Sequence, residues 1–179
     1  MPRLFTGIEI PADIKTEISL LYAGLPGARW IESDNLHITL RFIGDVDDEV
    51  GRDVLAILNS ARGRPFSIKL SGIGSFGGRK PRAVWLALDP SSELKTLQMT
   101  QDNLIAATGL PHEGRKFKPH VTLGRLKGRT SPQDVARYLD LNSGFSARPF
   151  EVESFVLFSA RPGKGGGPYI VEETYPLTQ

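Results

Sequence analysis

Cysteine is absent from the 179-residue sequence, and this absence excludes disulfides, thiolate nucleophiles and cysteine-ligated zinc. Long apolar runs are also missing, so the sequence predicts no membrane span. The N-terminal segment has neither a long apolar stretch nor a small-residue cleavage site, which argues against a signal peptide. These absences favour a cytoplasmic protein that makes no membrane contact.

A strong net charge is absent as well. The formal net charge is +2, with 40% hydrophobic and 23% charged residues, a composition typical of a globular protein of one domain. The basic residues cluster locally in two segments, Arg79, Lys80 and Arg82, and Arg115, Lys116 and Lys118. A local basic patch on a nearly neutral chain favours a small anionic ligand over a long duplex, although solvated loops would have the same composition.

Hydrophobic periodicity predicts strands at residues 3–10, 36–44, 66–70, 83–88, 120–126, 150–158 and 169–175. It predicts helices that begin near Ala12 or Asp13, after the aspartates at 45–48, at 92–108, and at 132–141 with Ser131 as the cap. The segment 72–81 is interpreted as a glycine-rich basic loop. Because strands and helices do not alternate regularly, the pattern indicates an α+β fold with mainly antiparallel pairing.

Histidine is scarce, and two of the three histidines open the same motif. His37-Ile38-Thr39-Leu40 and His120-Val121-Thr122-Leu123 both have the form H-x-T-L, each inside its own predicted strand. A single histidine on an apolar strand is usually a half-buried structural residue, but the repetition favours a functional pair. His112 has no such context and is interpreted as a surface residue.

The spacing of the motif carries a chemical prediction. Alternate side chains of a strand share one face, so His37 and Thr39 should project together while the second and fourth residues point into the core. Two such strands side by side would form a cleft with two imidazoles and two hydroxyls. Imidazole exchanges protons near neutral pH, and a hydroxyl can donate to a phosphate oxygen without adding charge.

Other kinds of catalytic site fit the sequence poorly. H-x-T is not a chelating spacing, and no HxH or HxxxH unit accompanies it, so a metal site is not predicted. The sequence contains no G-x-S-x-G motif, so it does not indicate a serine hydrolase. The glycines around Ser75 suggest a phosphate loop only superficially, because no G-K-[ST] follows them.

The paired H-x-T-L motifs resemble those of the 2H phosphoesterase superfamily, and within it the RNA 2′,3′-cyclic phosphodiesterases once described as 2′-5′ RNA ligases (LigT/ThpR-like). The resemblance covers nearly the whole chain. The segments that carry it are RLFTGIEIP, RWIESDNLHITLRFIGDV, SFGGRKPRAVWLAL, GRKFKPHVTLGRL and FVLFSARPGKGGGPYIVEETYPL.

The resemblance implies a bilobal fold of two related antiparallel sheets flanked by helices, with the active cleft between them. Residues 1–179 would then form a single domain of two pseudo-symmetric lobes. The implied reaction is metal-independent hydrolysis of RNA 2′,3′-cyclic phosphate ends to 2′-phosphomonoesters, with 2′-5′ ligation as a possible reverse reaction and no cofactor. By motif position, His37 would be the proton donor and His120 the proton acceptor, with Thr39 and Thr122 on the phosphate.

Two more residues are candidates for phosphate binding. Arg125 follows the second motif, but strict alternation from His120 would place it on the opposite face, so this role requires a bulge or a strand end. Tyr169 could reach the phosphate from the closing hairpin.

Base and strand contacts are a further hypothesis. Phe76, Phe117 and Trp30 are candidates to stack on a nucleobase, since stacking tolerates any base, although core packing explains each of them equally well. Arg82 is a candidate strand contact. Arg41 has the correct parity with His37, yet a surface ion pair would explain it equally.

The predicted partner is RNA with a 2′,3′-cyclic phosphate end, or a cyclic-phosphate nucleotide, bound by a monomer. Two alternatives stay open at this point. One is a non-catalytic RNA-end binding module of the same fold, and the other is a 2H phosphodiesterase that acts on a small cyclic nucleotide. The effect of the glycine-rich loop 163–167 on substrate fit is also open.

Overall fold

Short runs of β-branched and apolar residues, broken by glycine and proline, form most of the secondary structure. The computed structural model describes residues 2–160 and 167–178, and within these ranges it has ten strands and four α-helices. The strands are β1 Arg3–Glu9, β2 Ala28–Trp30, β3 His37–Asp45, β4 Phe66–Ile68, β5 Leu70–Phe76, β6 Ala83–Leu88, β7 His120–Leu126, β8 Phe150–Val152, β9 Ser154–Ala160 and β10 Ile170–Pro176. The helices are α1 Ala12–Ser19, α2 Asp48–Ile57, α3 Ser92–Ala106 and α4 Pro132–Leu141.

The main sheet consists of two antiparallel halves. One half has the order β10-β9-β1-β3 and the other the order β7-β6-β5, with β2 paired to β7. The halves join where β3 and β7 meet, and Ile38 opposite Val121 is the only paired position between these two strands. The predicted α+β fold with two antiparallel sheets is therefore confirmed, with the added detail that one residue pair connects them.

The helices pack in pairs on the two halves. On the β1–β3 half, the Thr6 hydroxyl donates to the Gln101 side chain of α3 at 2.5 Å, and both residues are buried. On the other half, α4 contacts β5, and the Tyr138 hydroxyl donates to the carbonyl of Leu21, just after α1, at 2.7 Å. Leu4 near one end of the chain and Leu177 near the other belong to the same hydrophobic core.

Three of the four helices have a side-chain cap, and those of α2 and α4 lie where the sequence predicts them. The side chains of Asp47, Ser91 and Ser131 accept hydrogen bonds from the first turns of α2, α3 and α4, which satisfies N–H groups that a helix leaves free. α1 begins at Ala12, as predicted, and its cap position is held by Pro11, whose side chain makes no hydrogen bond.

The interpretation of residues 72–81 as a loop was wrong over its first half. Gly72 to Phe76 belong to β5, which pairs with β6. Glycine is needed at position 74 because a Cβ there would lie 2.5 Å from the Trp85 ring on the neighbouring strand. Glycine in a strand can mark such a close approach rather than a loop.

The glycine-rich loop 163–167 lies outside the described residues, apart from Gly167. In the described part of the chain, no helix is both long and apolar enough to cross a membrane.

Candidate active site

The two H-x-T-L motifs lie side by side at the junction of the sheet halves. Ile38, Leu40, Val121 and Leu123 are all buried, with at most 3% of each residue exposed, as alternation predicts. Because β3 and β7 run antiparallel with Ile38 opposite Val121, His37 lies toward Thr122 and Thr39 lies toward His120. The imidazoles therefore occupy diagonal corners of a four-residue arrangement.

Each histidine is held by the carbonyl two residues before it. Nδ1 of His37 donates to the Asn35 carbonyl at 2.8 Å, and Nδ1 of His120 donates to the Lys118 carbonyl at 2.7 Å. A carbonyl only accepts, so Nδ1 carries a proton in both rings and Nε2 is the nitrogen left for proton transfer. Nε2 of His37 lies 2.9 Å from the Thr39 hydroxyl.

His37 sits among aromatic rings. The ring centroids of Phe5, Tyr169 and Phe158 lie 5.0, 5.2 and 5.5 Å from that of His37. Burial lowers the pKa of His37 below its ordinary value; the Asn35 carbonyl opposes this effect, and the charges of His120 and Arg125 lower the pKa further. In the empty cleft, the neutral form of His37 is therefore favoured.

His120 has different aromatic neighbours. The Phe76 ring meets it edge to face with centroids 5.2 Å apart, and the Trp85 ring lies 6.0 Å away. The indole N–H of Trp85 is buried and has no hydrogen-bond partner among the described residues. Phe76 therefore lies beside His120, next to an aromatic residue, Trp85, that the sequence analysis did not select.

A bulge follows the motif in β7. Thr122 pairs with Trp85 and Gly124 with Val84, so Leu123 has no partner on β6. The extra residue reverses the alternation, and Arg125 consequently lies on the same face as His120 and Thr122. The bulge on which the prediction for Arg125 depended is present.

A matching bulge follows the motif in β3, and it corrects the interpretation of Arg41. Thr39 pairs with Gly7 and Arg41 with Thr6, so Leu40 is the unpaired residue. The bulge turns Arg41 away from the cleft and brings Phe42 into it. The prediction that Arg41 shares a face with His37, which assumed strict alternation, is therefore wrong.

Arg41 makes a buried ion pair behind the site instead. Its side chain is 6% exposed, and Nε lies 2.7 Å from Oδ1 of Asp102 in α3. The guanidinium also donates to the carbonyls of Phe42 and Pro111. The predicted ion pair exists, but it is buried rather than on the surface, and Arg41 cannot contact the substrate from this position.

A cleft of about 210 Å³ opens between the two strands. Its lining includes His37, Thr39, Phe42, Thr122, Arg125 and Tyr169. His120 is not among the lining residues, although its neighbour Thr122 is. The backbone N–H of Tyr169 donates to the Asn35 side chain at 3.3 Å, so Asn35 connects the closing hairpin to the segment that holds His37.

Three predicted contact residues lie away from the cleft. Phe117 packs against the hydrophobic core. Trp30 stacks on Tyr22 with centroids 5.0 Å apart and packs against the same core, and it borders the adjoining depression rather than this cleft. Arg82 is exposed at the turn between β5 and β6, and it lines neither this cleft nor the adjoining one.

Sequence reasoning missed Trp85, Asn35 and Arg29. The signal for Trp85 was available, because it alternates with buried Val84 and Leu86 and so faces the cleft. Asn35 acts through its carbonyl and its amide, which no motif marks. Arg29 lies on β2, a strand of three residues that is too short for periodicity to reveal.

These groups define the chemistry that the site can perform. Two imidazoles can exchange protons on either side of a bound phosphate, while two hydroxyls and one guanidinium donate to its oxygens. No cluster of three potential metal ligands occurs in the described ranges. The arrangement is that of a two-histidine phosphoesterase.

Comparison with known proteins defines the family. The model of the 2′-5′ RNA ligase superfamily matches residues 17–164, and the chain belongs to this superfamily. It is 37% identical to an RNA 2′,3′-cyclic phosphodiesterase of Aeropyrum pernix over 141 residues, which cover 78% of this chain and 80% of that protein. It is 26% identical to the RNA 2′,3′-cyclic phosphodiesterase of Escherichia coli over 181 residues, which cover 99% and 97% of the two chains.

A solved structure agrees with the fold. The chain superimposes on E. coli LigT complexed with 3′-AMP with a TM-score of 0.79 at 28% identity, and all of both chains is covered. The predicted family and fold are therefore confirmed.

Proposed function

We propose that this protein opens RNA 2′,3′-cyclic phosphate ends to 2′-phosphomonoesters by metal-independent acid–base catalysis. The observation that carries the proposal is the pair of histidines. In each of them a backbone carbonyl holds Nδ1, and each directly precedes the residue, Ile38 or Val121, at which β3 and β7 pair. The two relatives described above are RNA 2′,3′-cyclic phosphodiesterases, which supports an enzyme over a non-catalytic binding module.

The reaction needs one proton removed and one supplied. Water attacks phosphorus and loses a proton to one imidazole, while the bond from phosphorus to the 3′ oxygen breaks and that oxygen takes a proton from the other imidazole. In-line displacement places these oxygens on opposite sides of phosphorus, which suits imidazoles at diagonal corners. If the 5′-hydroxyl of another RNA attacks in place of water, the product is a 2′-5′ linkage.

The roles follow the family positions, with His37 as the acid and His120 as the base. A general acid must carry a proton before the reaction, whereas the pKa of His37 is lowered. The assignment therefore requires that the bound substrate raise this pKa. A bound phosphate brings negative charge next to His37, which raises the pKa of that imidazole. Protonation of His37 and binding of the phosphate therefore favour each other.

The remaining groups stabilise the phosphate. Thr39, Thr122 and Arg125 line the cleft and can donate to the non-bridging oxygens, where negative charge grows in the transition state. Tyr169 lines the same cleft from the closing hairpin. Phe76 beside His120 is placed to stack on a base, and Arg82 at the adjoining turn is the candidate strand contact there.

The wider predictions belong to the same proposal. A single domain of two pseudo-symmetric lobes is supported by the shared hydrophobic core and by the matched motif and bulge in β3 and β7. A cytoplasmic location is supported by the cysteine-free sequence. The monomeric state stays a prediction.

Product analysis tests the proposal. RNA that ends in a 2′,3′-cyclic phosphate is incubated with the protein in excess chelator, and the new end is identified by phosphorus NMR. We expect a 2′-phosphomonoester, with activity lost in His37→Ala and His120→Ala and kept in His112→Ala, the matched control outside the cleft. Loss of activity on chelation, restored by a divalent ion, would contradict the metal-free mechanism.

The acid and the base are separated by the leaving group. A diester with a nitrophenolate leaving group needs little protonation as that group departs, so loss of the acid should cost much less on it than on a ribose substrate. We expect this partial rescue in His37→Ala and not in His120→Ala. Rescue in His120→Ala would exchange the two roles.

A further inference from the structure

Two arginines lie directly opposite each other on the strands β2 and β7. Arg29 of β2 pairs with Arg125 of β7, and Trp30 pairs with Gly124. Trp30 faces the core, where its ring stacks on Tyr22, so alternation places Arg29 on the opposite face. That is the face on which the bulge places Arg125, and the two guanidinium groups therefore share one side of the sheet.

Neither arginine has an acidic partner. Both are exposed, and within residues 2–160 and 167–178 neither makes an ion pair or a side-chain hydrogen bond. Like charges directly opposite each other on a sheet are destabilising. Negative charge next to each guanidinium would offset that repulsion and supply acceptors for both side chains.

The space beside these arginines continues the catalytic cleft. A second depression of about 480 Å³ is lined by Arg29 and Glu32, and it shares Asn35, Arg125 and Tyr169 with the cleft. The catalytic cleft alone, at about 210 Å³, is smaller than the roughly 300–1,000 Å³ of a typical ligand site. A nucleotide must therefore extend beyond it.

We propose that Arg29 binds a second phosphate of the substrate, the one at the 5′ position of the terminal nucleotide, while Arg125 remains on the cyclic phosphate. The inference rests on the proposed function and adds a substrate preference to it, for an RNA end over a mononucleotide without a 5′ phosphate. Arg29 and Arg125 lie on neighbouring strands, which are about 4.8 Å apart. The several bonds between the cyclic phosphate and the 5′-phosphate of one nucleotide can span this distance.

The other basic groups are less suited to this role. Arg3 also lines the catalytic cleft, but its guanidinium is already paired with Asp45 at 3.3 Å. Among the described residues that line the second depression, Glu32 is the acidic one, and the two arginines give this part of the lining a net positive charge.

A pair of small substrates isolates the second phosphate. Adenosine 2′,3′-cyclic phosphate with a 5′-phosphate differs from the same compound without it only in the group that Arg29 should bind. In Arg29→Ala we expect kcat/KM to fall about 5- to 10-fold for the compound with the 5′-phosphate and by less than about twofold for the other. Arg29→Lys should retain most of the activity, and Arg52→Ala, on the exposed side of α2, should change neither value.

Two further measurements separate binding from a structural role. The KM of the 5′-phosphorylated compound should depend less on salt concentration in Arg29→Ala than in the wild type, because salt screens the contact between the guanidinium and the phosphate. Without ligand, the Tm of Arg29→Ala should equal or exceed that of the wild type, because the repulsion with Arg125 is gone. A Tm lowered by several degrees would make Arg29 a structural residue and overturn the inference.

The outcomes distinguish this inference from the proposed function. Wild-type protein that opens neither compound refutes the proposed function itself. Wild-type protein that opens both, with equal effects of Arg29→Ala on the two, refutes only the second phosphate site. Sensitivity to the 5′-phosphate in Arg3→Ala instead of Arg29→Ala would place the RNA strand at the other end of the cleft and would also overturn the inference.

Discussion

Arg41→Met removes the guanidinium behind the active site and keeps most of the apolar stem. Breaking a buried ion pair by removing one partner costs about 3–5 kcal/mol, since the other charge is left buried and unpaired. Asp102 would still accept hydrogen bonds from His112 and from the backbone N–H of Glu113, so we expect the lower end, about 3 kcal/mol. In a domain of this size the Tm should fall by about 6–12 °C.

Chemical denaturation and thermal unfolding measure this loss, with Arg52→Met as the exposed control, expected within about 0.5 kcal/mol of wild type. Replacing both partners, in Arg41→Met with Asp102→Leu, should recover part of the stability because no unpaired charge remains. If the free energy of unfolding fell by less than about 1 kcal/mol, the Arg41–Asp102 pair would be no stronger than a surface salt bridge, and the reasoning from burial would be refuted. If Arg41→Met were as stable as the wild type but had a raised KM, Arg41 would be a substrate-binding residue, and the position given to it behind the site would be contradicted.

Two more predictions concern groups in the cleft. Thr39→Val or Thr122→Val keeps the β-branched shape and removes only the hydroxyl, so kcat should fall by up to roughly 10²–10³-fold with unchanged Tm. A wild-type rate in both variants would reduce the threonines to strand formers. Arg125→Ala should raise the pKa of His37 in the empty protein, because the arginine's positive charge lowers it. NMR titration of the imidazole measures this change against Arg129→Ala as the control. An unchanged or lower pKa would show that Arg125 lies too far from His37 to act on its charge.

The parts of the fold that depend on local signals could be predicted from the sequence. The bounds of β7 and α4 agree with the structure, because an H-x-T-L strand and a Ser-Pro helix start are both strong local patterns. The placement of the two histidines and two threonines follows from alternation over three residues, a distance too short for irregularities to accumulate.

The parts that depend on tertiary contacts could not be predicted. A bulge follows each motif, so Arg41 lies behind the site although alternation places it in the cleft, and Arg125 lines the cleft although alternation places it on the opposite face. A bulge is visible only from the register of the neighbouring strand. The glycines of β5 have the sequence pattern of a loop, because the ring of Trp85, which requires a glycine at position 74, lies on another strand. The position of Arg29 opposite Arg125 likewise depends on strand pairing, which no local pattern reveals.

The single paired position between β3 and β7 has a mechanical consequence. The span between the two imidazoles depends on how far the sheet halves tilt about Ile38 and Val121, rather than on a long ladder of hydrogen bonds. A change in side-chain size at these two positions would alter the tilt without touching a reacting group. The separation of the catalytic groups is therefore set in part by the packing of two buried side chains that take no part in the reaction.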